Sequence, residues 1–148
     1  MVLWYYENLD VAGRLVQKLK CLAQDRFHSR DVSYPSVAVR LVDGNTPHEG
    51  RVEVYYRCTW GTICGNYLDI EEANVICRQL GYPSASQTWN SAYFGGGSGP
   101  ILLDDVRCTG EETSIDQCDH NGWFTHYCGH YEDVGVSCNY TALMSSGQ

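Results

Sequence analysis

Cysteine is the residue that most limits how this chain can fold. The sequence has eight cysteines in 148 residues, and an even number at wide spacings is typical of a disulfide framework formed in an oxidising compartment. Spacing alone leaves many pairings open. We therefore expect an extracellular fold, in a secreted protein or in the ectodomain of a membrane protein, whose loops are held by disulfides.

The chain divides by composition into three segments. Residues 1–36 combine an amphipathic pattern with a polar, proline-containing end, which predicts an N-terminal extension with a short helix and a linker, or an artefact. Residues 37–139 form the main domain and residues 140–148 a tail. Glu7 and Asp10 lie where a secretory signal would have its apolar core, so no signal peptide is expected in this chain. We expect it to be part of a larger exported, multidomain protein.

The main domain is acidic. Residues 37–140 contain five basic and fourteen acidic residues, a net charge of −9. Nucleic-acid affinity comes mainly from clustered Lys and Arg, so no nucleic-acid partner is expected. The charge instead favours a cation or a basic protein surface. No apolar run approaches the roughly 20 residues that span a bilayer, so no direct membrane insertion is expected.

Strand and helix signals follow one another along the main domain. Val52 and Val54 alternate with charged residues as in a half-buried strand, and a reversal at Arg57 and Cys58 leads into a returning strand. Cys58 is therefore expected near the surface and Cys64, at the end of the returning strand, in the core. A long loop is expected in SQTWNSAYFGGGSGP, followed by a short strand in ILLDDVRC, a helical turn in ETSIDQC and a last strand in VGVSC.

The segment DIEEANVICRQLGY is the clearest helix. Asp69 and Glu72 make a capping-box pair, Cys77 falls on the apolar face, and Gly81 stands where a helix stop is expected. The pattern predicts one main helix from about Asp69 to Leu80, with Cys77 buried.

Several blocks match a known family in order and spacing: VRLVDG, GRVEVYY, WGTIC, ANVICRQLGY, FGGGSGPILLDDVRCTGEE, CDHNGW and CGHYEDVGVSC. Through these blocks residues 37–139 resemble a scavenger receptor cysteine-rich (SRCR) domain. The resemblance implies a disulfide-stabilised α+β fold, in which a curved antiparallel β-sheet cradles one main α-helix. The additional cysteine pair of the family's eight-cysteine subgroup would fall at Glu49 and Tyr82, so the resemblance implies the six-cysteine subgroup, group A.

The resemblance also implies the framework disulfides, which are Cys64 with Cys128, Cys77 with Cys138, and Cys108 with Cys118. Cys21 and Cys58 fall outside this framework. A disulfide between them would fasten the N-terminal extension to the hairpin; the alternative is two unrelated thiols, if residues 1–36 do not belong to the fold.

Catalysis and zinc binding are both disfavoured. The sequence has no G-x-S-x-G elbow and no Cys/His pair in a family-specific context, so no enzymatic activity is expected. The segment CDHNGWFTHYCGHY crowds zinc-type ligands, namely Cys118, His120, His126, Cys128 and His130. A reduced intracellular zinc protein is therefore an alternative, but the spacing matches no standard finger and disulfide sulfurs are not thiolate ligands.

Carboxylates are the candidates for a cation site. Family domains that bind calcium draw one site from two Asp after WGTxC with the Glu of HxED, and another from the LDDV aspartates with an Asn before the seventh cysteine. Here Gly65 and Asn66 replace the first pair and Tyr127 replaces the Asn. The candidate ligands are Asn66, Asp104, Asp105 and Glu132. This depleted set predicts weak Ca²⁺ binding, at about 10⁻⁴–10⁻³ M, or else loop caps and solvated charges.

Aromatic residues in two loops are candidates for ligand contact, and about half are expected to be buried. They are Trp89, Tyr93, Phe94, Trp123, Phe124 and Tyr127. Asn139, in the sequon NYT, is a candidate glycosylation site.

The resemblance implies a non-enzymatic, extracellular ligand-recognition module of scavenger-receptor type. Its ligands would be proteins or microbial or modified-self surfaces, with a cation assisting; sparse Lys and Arg argue against strong polyanion binding. The alternative is a regulatory or spacer domain of a secreted multidomain enzyme, of serine protease or lysyl-oxidase type, whose catalytic domain lies outside this chain.

Overall fold

The computed structural model describes residues 37–140 and, before them, Cys21. The chain divides into two compact units, Met1–Pro35 and Ser36–Gln148. The predicted N-terminal extension and the tail after residue 140 lie outside the described residues, except for Cys21, which is helical. No helix in the described part is long and apolar enough to cross a bilayer.

Residues 37–140 fold into a six-stranded sheet and one main helix. The strands are β1 (Ala38–Asp43), β2 (Glu49–Tyr56), β3 (Thr59–Ile63), β4 (Ala85–Trp89), β5 (Ile101–Leu103) and β6 (Gly135–Cys138). Their order is β4-β6-β2-β3-β5. The strand β6 pairs with the start of β2 and β3 with its end, while β1 pairs with β2 along the opposite edge. The predicted α+β class with a curved sheet and one helix is confirmed. The predicted antiparallel pairing is corrected, because β3 and β5 run parallel and the sheet is therefore mixed.

The β2–β3 hairpin turns through two residues, Arg57 and Cys58. Their φ values are 46° and 65°, and positive φ at both central positions is typical of a type I′ turn, whose twist matches the flanking strands. Cys58 is partly exposed and Cys64 is fully buried, so both predicted positions are confirmed.

The main helix, α1 (Ile70–Gln79), begins at the predicted capping box. Glu72 accepts a hydrogen bond from the Asp69 backbone N–H at 2.7 Å, and Gly81, with φ 96°, follows the C-cap Leu80. Cys77 is fully buried. The helix packs against β4 and β6, so the predicted helix and the burial of Cys77 are confirmed.

The core lies on one face of β2, and a polar network covers the other. Val52 and Val54 are fully buried in the apolar core. Arg51, which alternates with them, lies 3.0 Å from Asp43 and 3.1 Å from Glu53. Its guanidinium also donates to the Gly95 carbonyl at 3.1 Å, which holds the glycine-rich loop over the sheet. The buried charge of Arg51 is therefore paired, as it must be to avoid a large desolvation cost.

The strand β4 corrects the prediction of a long loop from Ser86 onward. Residues 85–89 pair with β6, about fifty residues later in the chain. Ser86 and Gln87 remain exposed in this strand, so it lacks the apolar alternation by which a strand is recognised. The loop that follows β4 is correspondingly shorter than predicted.

Candidate functional site

Three disulfides hold the loops of the domain together. They join Cys64 to Cys128, Cys77 to Cys138 and Cys108 to Cys118, the same pairs that the resemblance implies. Cys21 and Cys58 are also disulfide-bonded, and no described cysteine is free. The predicted bridge between Cys21 and Cys58 stays a prediction.

Loops from distant parts of the sequence converge at the Cys64–Cys128 disulfide. The Cα atoms of its two cysteines are 6.3 Å apart. The Gly65 N–H donates to the Glu132 carbonyl at 2.8 Å, and Asn66 Nδ2 donates to Cys128 Sγ at 3.4 Å. We name residues 64–69, 104–105 and 127–132 the loop junction.

The LDDV segment enters the loop junction through Asp104, which is 4% exposed. Its Oδ2 accepts a hydrogen bond from the Tyr127 backbone N–H at 3.3 Å, while its Oδ1 is buried without a partner. The next residue, Asp105, has φ 58° and is partly exposed. The structure thus brings Asp104 beside Tyr127, at the position where the resemblance implies an Asn in calcium-binding family domains.

The predicted cation ligands do not form one compact cluster. Among residues 37–140, ligand atoms lie within 4.8 Å of one another in two groups of three: Cys64, Asp104 and Cys128; Cys108, Glu112 and Cys118. The sulfurs in both groups belong to disulfides and are not thiolates. Glu132 instead accepts a hydrogen bond from the Gly129 N–H at 3.1 Å, and the Asn66 amide faces a sulfur.

The histidines of the zinc alternative are each engaged within the protein. His120 and His126 accept hydrogen bonds on Nδ1 from the backbone N–H two residues later, at 2.9 and 3.2 Å. The ring of His130 lies between a carboxylate and a carbonyl oxygen. These three rings form no zinc-type cluster in the described part of the chain.

The candidate aromatic residues form two stacked groups. Trp89 stacks on Tyr93 with ring centroids 4.1 Å apart, and Phe94 meets both edge-on. Trp123 stacks on Tyr56 at 3.7 Å. Trp89, Phe94 and Trp123 are half-buried, while Tyr93, Phe124 and Tyr127 are exposed. Full burial is therefore rarer than predicted.

Sequence reasoning missed Tyr67 and Tyr131 as candidate contact residues. Both rings are largely exposed at the loop junction. Tyr67 has φ 60° and lies in the turn that the Leu68 N–H closes onto the Gly65 carbonyl at 3.2 Å. A tyrosine placed in such a turn, close to a framework cysteine, was the available signal.

A family model described as the scavenger receptor cysteine-rich domain matches residues 42–139. This chain belongs to the SRCR family. An SRCR domain superfamily protein of Patiria pectinifera is 52% identical to it over 101 residues, and the Galectin-3-binding protein of Rattus norvegicus is 50% identical over 101 residues. Each match covers 68% of this chain but only 9% and 18% of the relatives, so the chain spans a small part of their length.

Two solved SRCR domains are also similar to this one. The third SRCR domain of murine Neurotrypsin has 46% identity and a TM-score of 0.65, and the match covers 71% of this chain and 98% of that domain. The SRCR domain of mouse MARCO, solved in a dimeric form, has 40% identity and a TM-score of 0.58, with 76% and 98% covered.

The cysteine count of this SRCR domain chain does not support the predicted six-cysteine subgroup. All eight cysteines are disulfide-bonded, and eight is the number of the other subgroup. The prediction rested on Glu49 and Tyr82, which hold the positions of that subgroup's additional pair. The two cysteines outside the framework, Cys21 and Cys58, stand at other positions than that additional pair. The number of cysteines therefore indicates the eight-cysteine subgroup, although the additional pair is not at that subgroup's positions.

The predicted glycosylation site of the SRCR domain, Asn139, is exposed directly after β6. Its Nδ2 donates to Ser84 Oγ at 2.7 Å and to the Ala85 carbonyl at 3.2 Å. The Thr of the sequon lies outside the described residues, so glycosylation stays a prediction.

Proposed function

We propose that this chain is a non-enzymatic ligand-recognition module that acts outside the cell, in a secreted protein or an ectodomain. The observation that carries the proposal is the exposure of Tyr67, Tyr127 and Tyr131 on loops tied by the Cys64–Cys128 disulfide. Binding residues are concentrated on loops positioned by a rigid scaffold, and exposed aromatic groups are enriched in protein contacts. The disulfides and the SRCR relatives support an extracellular location.

The ligands proposed are proteins or microbial and modified-self surfaces that are not strongly anionic. The chain's own arginines support this choice. Arg40 and Arg51 are paired with carboxylates, and Arg78 donates to the Glu112 carbonyl at 3.1 Å. Few cationic groups of residues 37–140 are therefore left to bind a polyanion.

We also propose weak calcium binding at Asp104 and Asp105. The buried, unpartnered Oδ1 of Asp104 fits a hard cation, which prefers oxygen ligands. The other predicted site fits less well, because Gly65 offers no side-chain ligand and Glu132 already accepts a backbone hydrogen bond. With few charged ligands, affinity should lie at about 10⁻⁴–10⁻³ M.

Calorimetric titration tests the calcium proposal. A Cβ atom at Gly65 would lie 2.8 Å from Asn90 Oδ1 and 3.0 Å from the Glu132 carbonyl oxygen, so Asp is better introduced at Asn66 alone. The Asn66 side chain lies 3.4 Å from Cys128 Sγ, and that sulfur lies within 4.8 Å of an Asp104 carboxylate oxygen. Asn66→Asp should therefore strengthen binding several-fold, because it adds a carboxylate beside the proposed site. Asn45→Asp adds the same charge in the β1–β2 turn and should not. Micromolar binding by the unmodified chain, or equal gains in both variants, would contradict the proposal.

The second candidate is a regulatory or spacer domain of a secreted multidomain enzyme. Its support is the similarity to the third SRCR domain of murine Neurotrypsin. That protein has several SRCR domains, so such domains occur as repeated units of longer proteins. The complete transcript separates the two candidates. A protease or oxidase domain encoded in the same reading frame would favour the second.

A binding screen with the full oxidised chain tests the proposed function. The chain is presented to arrays of extracellular proteins and to immobilised microbial and oxidised-lipoprotein surfaces, with calcium and with chelator. A reduced and alkylated chain is the matched control, since it has the same composition without the disulfide-held loops. Capture of a partner by the oxidised chain alone is expected. No capture above the reduced control would overturn the proposal.

A further inference from the structure

Three tyrosines are the most exposed large hydrophobic residues in residues 37–140. Tyr127 is 95%, Tyr67 80% and Tyr131 75% exposed. Single exposed aromatic residues are common on protein surfaces, but neighbouring ones mark contact sites. The position of these three relative to one another therefore decides whether they have a shared role.

All three tyrosines lie at the loop junction. Tyr67 follows Asn66, whose side chain contacts Cys128 Sγ at 3.4 Å. Tyr127 precedes Cys128 directly, and Tyr131 stands three residues after it. Each tyrosine is within three residues, or about 11 Å of chain, of a cysteine of the Cys64–Cys128 disulfide. The three tyrosines are therefore gathered around one disulfide.

Carboxylates lie in the same loop segments as these tyrosines, and Lys and Arg do not. Asp69, Asp105 and Glu132 lie in the same three loop segments and are exposed or partly exposed. Residues 64–69, 104–105 and 127–132 contain no Lys or Arg. Aromatic faces attract cations, and carboxylates pair with guanidinium groups through two parallel hydrogen bonds. The surface is thus chemically suited to arginine side chains.

We propose that Tyr67, Tyr127 and Tyr131 form a docking surface for a basic, arginine-containing segment of a partner protein. The inference rests on the proposed function and names its partner class. The tyrosine rings would stack on guanidinium groups, while Asp69, Asp105 and Glu132 pair with them at the edges. This contact needs no bound cation, because the partner supplies the positive charge.

The charge of the domain selects this occupant over a second copy of the chain. Residues 37–140 have a net charge of −9, so two copies facing each other would repel. An anionic glycan or nucleic acid would be repelled in the same way. A basic protein segment is attracted over a distance and then retained by the rings.

The test uses the full oxidised chain, a fluorescent oligoarginine peptide and an oligoglutamate peptide, with chelator present. The variant Tyr67→Ser/Tyr127→Ser/Tyr131→Ser removes the rings, and the corresponding triple Phe variant retains them. Tyr140→Ser removes a ring that is 53% exposed elsewhere. None of these changes alters the net charge, so general electrostatic attraction is equal in all four proteins. The unfolding midpoint of each variant verifies that it is folded.

Each exposed cation–π contact changes affinity by about two- to fivefold, so the triple Ser variant should bind oligoarginine about tenfold more weakly or worse. The triple Phe and Tyr140→Ser variants should stay within about twofold of the unmodified chain. Equal affinity of the triple Ser variant, or binding of oligoglutamate, would overturn the docking surface. If a partner from the binding screen is captured equally by the triple Ser variant, this inference fails and the proposed function stands.

Discussion

At the scale of single residues, burial and nearby charges have opposite effects on the pKa of His120. Its ring packs edge-on against Trp123, with centroids 5.5 Å apart, and its Nδ1 accepts a hydrogen bond from the Gly122 N–H at 2.9 Å. Burial lowers the pKa of His120 below its ordinary value of 6.5, while the charges of Asp116 and Asp119 act to raise it. The folded domain therefore favours the neutral ring.

This lowered pKa predicts a loss of stability in mild acid. Between the two pKa values the unfolded chain binds more protons than the folded one, so stability from His120 is complete above the unfolded value and is lost as pH falls through the folded value. His120→Gln, which keeps an acceptor for the Gly122 N–H, should flatten the pH dependence of the free energy of unfolding between about pH 5 and pH 7.5. Urea titrations at several pH values measure the free energy of unfolding, with His48→Gln as the matched control. If its pH dependence in His120→Gln equals that of the unmodified chain, the prediction is wrong.

Single-residue roles were predictable from the sequence only where a motif fixes them. Cys64, Cys77 and the cap residues Asp69 and Glu72 were placed from local patterns. Tyr67 was not, because the exposure of a ring depends on what other loops leave uncovered. Its place at the loop junction depends on a disulfide that spans 64 residues, which no local pattern contains.

At the scale of elements, Glu72 connects the start of α1 to a distant loop. One carboxylate oxygen accepts from the Asp69 N–H and the other from the Cys108 N–H, both at 2.7 Å. Glu72 is 5% exposed, so both bonds lie away from water. The capping residue thus also positions the Cys108–Cys118 loop.

Replacing Glu72 with Gln should therefore destabilise the domain by about 1–3 kcal/mol, because the amide NH₂ would face a backbone N–H and leave a buried donor unpaired. Glu71→Gln, at the exposed neighbouring position, makes the same chemical change and should cost less than about 0.5 kcal/mol. Chemical denaturation of both variants gives the comparison. Equal losses in the two would refute the connecting role of Glu72.

Elements defined by local signals were predictable, and those defined by distant partners were not. The capping box placed α1, and the reversal at Arg57 and Cys58 placed the hairpin. The strand β4 is short and polar, and its partner β6 follows much later. The parallel pairing of β3 with β5 likewise follows from tertiary packing. The β-propensity of a segment predicts a strand poorly where its cross-strand neighbours determine whether it pairs.

At the scale of the whole molecule, disulfides of different span hold the fold. Cys64–Cys128 closes a separation of 64 residues, and Cys108–Cys118 closes one of 10. In the chain-entropy model, the first contributes about 4 kcal/mol and the second about 3 kcal/mol, because a longer loop loses more freedom in the unfolded chain. The two disulfides should therefore contribute different amounts to the free energy of unfolding.

Removing each bridge separately tests this order. Cys64→Ala/Cys128→Ala should lower the free energy of unfolding by about 1.5 kcal/mol more than Cys108→Ala/Cys118→Ala. Urea unfolding of the two double variants measures the difference. A larger loss from the shorter bridge would show that local packing, rather than loop closure, governs the contribution of these disulfides.

The most direct test of a non-enzymatic recognition module is a binding isotherm with a partner captured in the screen, recorded together with the partner's mass. The oxidised chain should bind saturably, the reduced and alkylated chain should not, and the mass of the partner should be unchanged after prolonged incubation. Saturable binding depends on loops that the disulfides hold in place. Equal binding by the reduced chain, or a partner that is cleaved or oxidised during incubation, would contradict the account.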